Sequence, residues 1–240
     1  MGFDVTLAVT WYLALIVAMT FHEAAHALVA KIGGDMTAYE AGQVTLNPVA
    51  HMRREPFGTI VLPIISLFLM GFPLGFAHAP YNPYWADAHP KRAALMSLAG
   101  PASNLLLAAL IFALMKVGIT AEIFEYPLRG VGIASGSNGM AEISMLAAPN
   151  GETSGILYAF ARILPVFFFI NLLLGTFNLI PVPPLDGAGI AEGMFPTGIG
   201  RFFGLLRREP TFGMIGLIIA WYVFPKVWWP VWDLAIKLYR

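Results

Sequence analysis

The sequence predicts an all-α polytopic membrane protein with about four to six membrane segments, one of them re-entrant, and short strands at the surface. Three observations carry that expectation. Hydrophobic residues make up 58% of the 240 residues and charged residues only 12%, where a soluble domain carries about 25%. The mean hydropathy is +0.71. Several apolar runs reach the roughly 20 residues that a helix needs to cross hydrocarbon. The net charge is zero and no basic run occurs, so nucleic acid would find no electrostatic footprint. Cysteine is absent, which excludes disulfides and leaves His and carboxylate as donors for a transition metal. With no long hydrophilic stretch, residues 1–240 read as a single membrane-embedded domain. Its core covers about 5–190, with membrane or interfacial helices over about 200–240.

Taken in order, Val5 to Lys31 is a spanning helix without the basic leader of a cleaved signal. GGDMTAYEAGQVTLNPVAHMRREP (33–56) is polar and reads as loop or short strands at the membrane surface. Phe57 to Phe76 is apolar, but Pro63, Gly71, Pro73 and Gly75 interrupt it, which is unusual for a simple span. FAHAPYNPYWADAHPKR (76–92) is a surface loop, and Ala93 to Val117 is a second clean span that contains LAGPASN (98–104) near its start. A connecting loop over Glu122 to Gly155 leads to a third span, Ile156 to Leu179, which runs into NLIPVPPLDG (178–187). After the basic residues Arg201, Arg207 and Arg208 comes a last apolar run, Phe212 to Phe224. The final KVWWPVWDLAIKLYR (226–240) reads as an aromatic-belt helix lying at the interface.

The first span contains His22-Glu23-Ala24-Ala25-His26. On a helix, H-E-x-x-H places two imidazoles one turn apart on one face, with a carboxylate beside them able to activate water at a metal. Three ionisable groups within hydrocarbon are costly unless something compensates them, and a bound zinc ion would do so. A catalytic zinc takes three protein ligands and keeps one position open. His22 and His26 supply two. Of the five Asp residues, only Asp186 lies in a motif attached closely to a spanning helix. Pro181, Pro183 and Pro184 prevent helix there, and irregular backbone at membrane depth is tolerated only against protein or a cavity. Asn171 and Asn178, seven apart on one helix face, offer amides that could hold an oxyanion.

HEAAH, LAGPASN and NLIPVPPLDG together resemble the site-2 protease family of intramembrane zinc metalloproteases, over roughly residues 10 to 190. TLNPVAH followed by PFGTIVLP is similar to the compact subgroup that lacks PDZ or CBS domains; MRRE between His51 and Pro56 departs from its pattern. The resemblance implies that His22, His26 and Asp186 ligate one zinc ion per chain and that Glu23 is the general base. It implies that Asn178 stabilises the tetrahedral oxyanion. Substrates would be transmembrane helices of membrane-tethered proteins, cut within the lipid bilayer of the cell membrane.

Topology follows from the metal, because His26 and Asp186 must share one depth to reach ligand distances of about 2.0–2.2 Å. A full crossing by Phe57 to Phe76 would leave them a membrane apart, whereas a re-entrant segment brings them together. That arrangement puts Lys31, Arg53, Arg54, Lys91, Arg92, Arg201, Arg207 and Arg208 on one side. Lys116, Arg129, Lys226, Lys237 and Arg240 fall on the other, so the first side is cytoplasmic by the positive-inside rule. Glu23, eight residues before Lys31, then lies about 12 Å below the cytoplasmic surface. At that depth a water-filled cleft must open to the cytoplasm, and the broken segment is the natural gate or edge to receive a substrate. His51, His78 and His89 read as solvated loop residues, and Asn104 with Gly100 as close helix packing. The alternative function is a metal-binding transporter or channel, which would stage its ionisable residues across the membrane instead of gathering them at one depth.

Overall fold

The computed structural model describes residues 5–126, 143–144, 146–150, 155–195, 197–198, 200, 202, 204 and 210–239. Arg129, Arg201, Arg207, Arg208 and Arg240 lie outside the described residues, so the basic-residue tally rests here on the remainder.

Among the described residues, four helices are long and apolar enough to cross a membrane, as expected for an integral membrane protein. Helix α1 (Val5–Gly33) packs along α6 (Pro90–Thr120), which in turn packs along α7 (Ile156–Asn178). The fourth, α9 (Pro210–Tyr239), lies against α7. Trp11, Met115, Val166 and Ile170 are essentially inaccessible at the centre, and Trp11 meets Phe169 edge-on at 5.5 Å. In lipid such packing, not exclusion of water, holds helices together.

The surface segment after α1 differs from the expected strands. It forms two short helices, α2 (Thr37–Glu40), entered through a turn closed by Asp35, and α3 (Pro48–Arg54), capped by Asn47. Asp35 accepts from the Thr37 backbone N–H at 3.0 Å, and Asn47 accepts from the Val49 N–H ahead of Pro48 at the first helical position. His51, read from sequence as a solvated loop residue, is buried at 4% exposure because α3 folds against α1. One of its ring nitrogens donates to the Thr45 carbonyl at 2.9 Å. His78 and His89 are exposed, as read from sequence.

Phe57 to Phe76 forms the expected hairpin. A π-helical turn (Phe57–Val61) continues into α4 (Leu62–Met70), which ends at Gly71 with φ 70°, a left-handed conformation suited to glycine. The chain then returns in extended form, so that the Phe76 N–H donates to the Gly58 carbonyl at 3.1 Å. Ser66 Oγ accepts from the Leu74 N–H at 2.7 Å, and Arg54 Nε donates to the His78 carbonyl at 3.2 Å. The segment therefore comes back to the end from which it entered.

Within 76–92 the sequence also forms α5 (Pro83–Ala88), capped by Asn82, and α6 starts at Pro90, one turn earlier than read. The described strands, β1 (Phe124–Glu125) and β2 (Ala148–Pro149), pair antiparallel in the connection between α6 and α7, not in the segment after α1. The last two segments are one continuous helix, contrary to the separate interfacial helix expected. Pro225 and Pro230 sit on its exposed side, while Trp228, Trp232 and Tyr239 are buried in the main core. That packing carries the helix through both prolines.

Candidate metal centre

Helix α1 carries His22, Glu23 and His26, all at 7% exposure or less. The NLIPVPPLDG segment leaves α7, turns through a cis Pro183–Pro184 peptide and starts α8 (Asp186–Met194) with Asp186. Its carboxylate Oδ2 lies 3.0 Å from His22 Nε2 and 3.3 Å from His26 Nε2. The structure thus brings together the three residues singled out as ligands, with one donor atom from each inside a 4.8 Å sphere of mutual distances.

The outer sides of both imidazoles decide what the inner sides can hold. His26 Nδ1 lies 2.7 Å from the Met96 carbonyl of α6, which can only accept, so Nδ1 carries the proton and Nε2 of the neutral ring is bare. His22 Nδ1 lies 2.6 Å from Asn104 Oδ1. The orientation of that amide is set by its other end, where Nδ2 donates to the Ala18 carbonyl (3.0 Å) and to Asn171 Oδ1 (2.9 Å). Asn171 is oriented in turn by donating to the Phe167 carbonyl at 2.9 Å. His22 therefore also presents a bare Nε2. With both rings neutral, two lone pairs and a carboxylate oxygen converge on one point. A single divalent cation satisfies all three, and tetrahedral zinc sets its ligand atoms about 3.3–3.5 Å apart. The residues fit the ion, and the Asn104 and Met96 contacts are the second layer that metal-bound imidazoles require.

Glu23 stands next to His22 in sequence, and its Oε2 is buried without a hydrogen-bond partner. Such a carboxylate oxygen is costly unless a ligand or water serves it. Asn178, at the end of α7, is half-buried, and its Nδ2 donates to the Leu174 carbonyl one turn back at 3.0 Å. Asn171, the other amide read as a candidate oxyanion donor, accepts from Asn104 Nδ2 and donates its own Nδ2 to the Phe167 carbonyl.

Two residues read only as packing take part in the site. Asn104 holds His22, and Gly100 faces both rings: a β-carbon there would overlap Nε2 of His26 and of His22. The signal was present in the spacing, because Gly100 and Asn104 share one face of α6 at i and i+4.

A model of peptidase family M50 matches residues 10–221. YwhC of Bacillus subtilis (strain 168), which carries the provisional name of a zinc metalloprotease, is 32% identical over 222 residues, covering 91% of this chain and 84% of its own. Rip2 of Mycolicibacterium smegmatis (strain ATCC 700084 / mc(2)155), named in the same provisional way, is 29% identical over 179 residues, 74% of this chain and 54% of its own. No solved structure gives a significant match. By sequence and by the elements just described, the chain belongs to peptidase family M50, the site-2 protease family, and is a metalloprotease built on membrane-spanning helices.

Proposed function

We propose that the chain is a zinc-dependent endopeptidase that cuts transmembrane segments of membrane-tethered proteins near the cytoplasmic face. The observation that carries this reading is the convergence of bare His22 Nε2, bare His26 Nε2 and Asp186 Oδ2 beside a buried, partnerless Glu23 oxygen. Zinc, held by His22, His26 and Asp186, supplies the Lewis acidity that brings water within reach of ionisation near neutral pH.

Glu23 accepts the proton of the attacking water and returns it to the departing amine. Asn178 releases the Leu174 carbonyl and donates its N–H to the oxyanion that develops on the scissile carbonyl. A helical substrate must unwind first, because its carbonyls are engaged within the helix. The extended return of the hairpin lies beside α1, with Gly75 packed near Leu15 and Met19, one turn from His22 and Glu23. It offers an edge for such an unwound segment. Lys31, Arg53, Arg54, Lys91 and Arg92 gather at the same end of the molecule as the histidines, which supports a cytoplasmic opening. Ionisable groups clustered at one depth, together with the peptidase family, set the transporter alternative aside.

The test is co-expression with single-span substrates, read together with metal analysis. Wild type should hold about one zinc per chain, and His22→Ala or Asp186→Ala should lose it. Glu23→Gln should keep its zinc while cleavage falls by at least about 10²-fold. Normal cleavage by Glu23→Gln would refute the mechanism.

A further inference from the structure

We propose that α9, which carries none of the candidate site residues, sets the position of Asp186, and that Gly216 is the positioning residue through which it acts. The inference rests on the zinc reading above. Asp186 is delivered by residues 179–185, where three of seven are proline and lack an N–H. The backbone hydrogen bonds of that segment are local, from Val182 N–H to the Ile180 carbonyl (2.8 Å) and from Leu185 N–H to the Val182 carbonyl (3.0 Å). They shape the turn, and α8, packed along α6, holds its far end, but the turn itself still needs a support.

Helix α9 supplies it. A β-carbon built at Gly216 would overlap the Pro183 carbonyl oxygen and stand 3.0 Å from Val182 Cγ1. One turn on, Ala220 is wholly buried against Ile180 and Leu185. A further turn on, Phe224 meets Phe177 edge-on at 5.1 Å. Gly216, Ala220 and Phe224 form one stripe at i, i+4 and i+8, small where the helix backbone must come closest. The ligand segment is therefore held between this stripe and the imidazoles of α1.

The far end of α9 determines which partner gives way under strain. The Tyr239 carbonyl accepts from Lys116 Nζ and from the Tyr126 hydroxyl, each at 2.8 Å. The Tyr239 hydroxyl donates to the Leu146 carbonyl at 2.9 Å. Trp228 and Trp232 stack at 5.6 Å and both meet Phe169 edge-on at 5.2 Å. With α9 anchored this way, an added methyl at position 216 displaces the proline segment rather than the helix. Its contact is backbone, so no side-chain rotation can absorb it. Metal ligands tolerate only about ±0.2 Å.

The experiment uses the full chain in detergent and compares Gly216→Ala with Gly213→Ala. The second adds the same methyl to the same helix, where a β-carbon meets nothing within 4 Å. Zinc affinity is read by chelator competition, the site's symmetry by the absorption spectrum of the cobalt-substituted protein, and cleavage across a series of free zinc concentrations. Gly216→Ala should weaken zinc binding by about 10–100-fold, alter the cobalt spectrum, and regain cleavage as free zinc rises. Gly213→Ala should match wild type in all three. Wild-type affinity in folded Gly216→Ala overturns the inference. Should that variant not yield monodisperse helical protein, Phe224→Ala, which removes support without adding an atom, is measured in the same way. Wild-type affinity there overturns the inference equally. A wild-type chain that binds no zinc would sink the protease reading, and this inference with it.

Discussion

Asn104 offers the sharpest test of how the site is built. It is fully buried and makes three hydrogen bonds, accepting from His22 Nδ1 and donating to Ala18 and Asn171. Asn104→Leu keeps the volume, excludes water and leaves the His22 N–H and the Asn171 oxygen unserved. Each buried orphan costs about 1–3 kcal/mol. Relief comes by tilting the His22 ring, which takes Nε2 off the metal. Loss of such a support typically weakens metal binding by about 10–100-fold, or about 1.4–2.7 kcal/mol. Asn104→Ala opens room in which a water can replace part of the amide, so its loss should fall at the lower end of that range. Asn104→Asp keeps an acceptor for His22 but no donor for the Asn171 oxygen or the Ala18 carbonyl, so it too should bind zinc less tightly than wild type. Chelator competition on the purified variants gives the order, with wild type above Ala, and Ala above Leu. Zinc affinity equal to wild type in folded Asn104→Leu would refute the argument that this amide holds His22.

Three further outcomes follow from the same packing. Gly100→Ala puts a methyl against both imidazoles and should abolish cleavage and sharply reduce zinc content, at a folding cost of about 1–3 kcal/mol from overpacking. Burial pushes the Asp35 carboxyl up, but hydrogen bonds from the Thr37 hydroxyl and from the backbone N–H groups of Asn82 and Thr37 outweigh it and hold the group below its ordinary value of 3.8. Its stabilising contribution is complete above that value and fades as pH falls through the lowered native one, so the difference in thermal stability between wild type and Asp35→Asn should shrink in acid. Cysteines introduced singly at Ala50, Ala79 and Ala88 should all react with an impermeant reagent from one and the same side. Labelling of Ala88→Cys from the side opposite Ala50→Cys would turn the hairpin into a true crossing.

Much of this was legible in the chain itself, for identifiable reasons. HEAAH and LDG can be read because metal chemistry fixes residue type and spacing together. The hairpin could be read because two ligands at one depth forbid an odd number of crossings between them, and Gly71 and Pro73 sit where the chain must turn. His51 was misjudged because a polar neighbourhood in sequence says nothing about the helix that will cover it. The aromatic-rich end reads as a separate interfacial helix, yet Pro225 and Pro230 both fall on the exposed side, and Trp228 and Trp232 carry the helix onward into the core. Asn104 and Gly100 were read as packing because small residues at helix contacts are common. Only the three-dimensional arrangement shows which imidazole each one meets.

The amides and carbonyls that anchor the imidazoles also govern proton traffic. Both rings are tied at Nδ1 to groups that cannot take a proton near neutral pH: the Met96 carbonyl for His26, and for His22 the Asn104 amide backed by Asn171 and Phe167. A carboxylate in either place would open a path by which a proton could drain away from the reaction. Built as it is, the surround acts as an insulator, and Glu23 stands beside the imidazoles with its buried Oε2 free of any hydrogen-bond partner. On the mechanism proposed above, acid–base work would thereby fall to a single side chain.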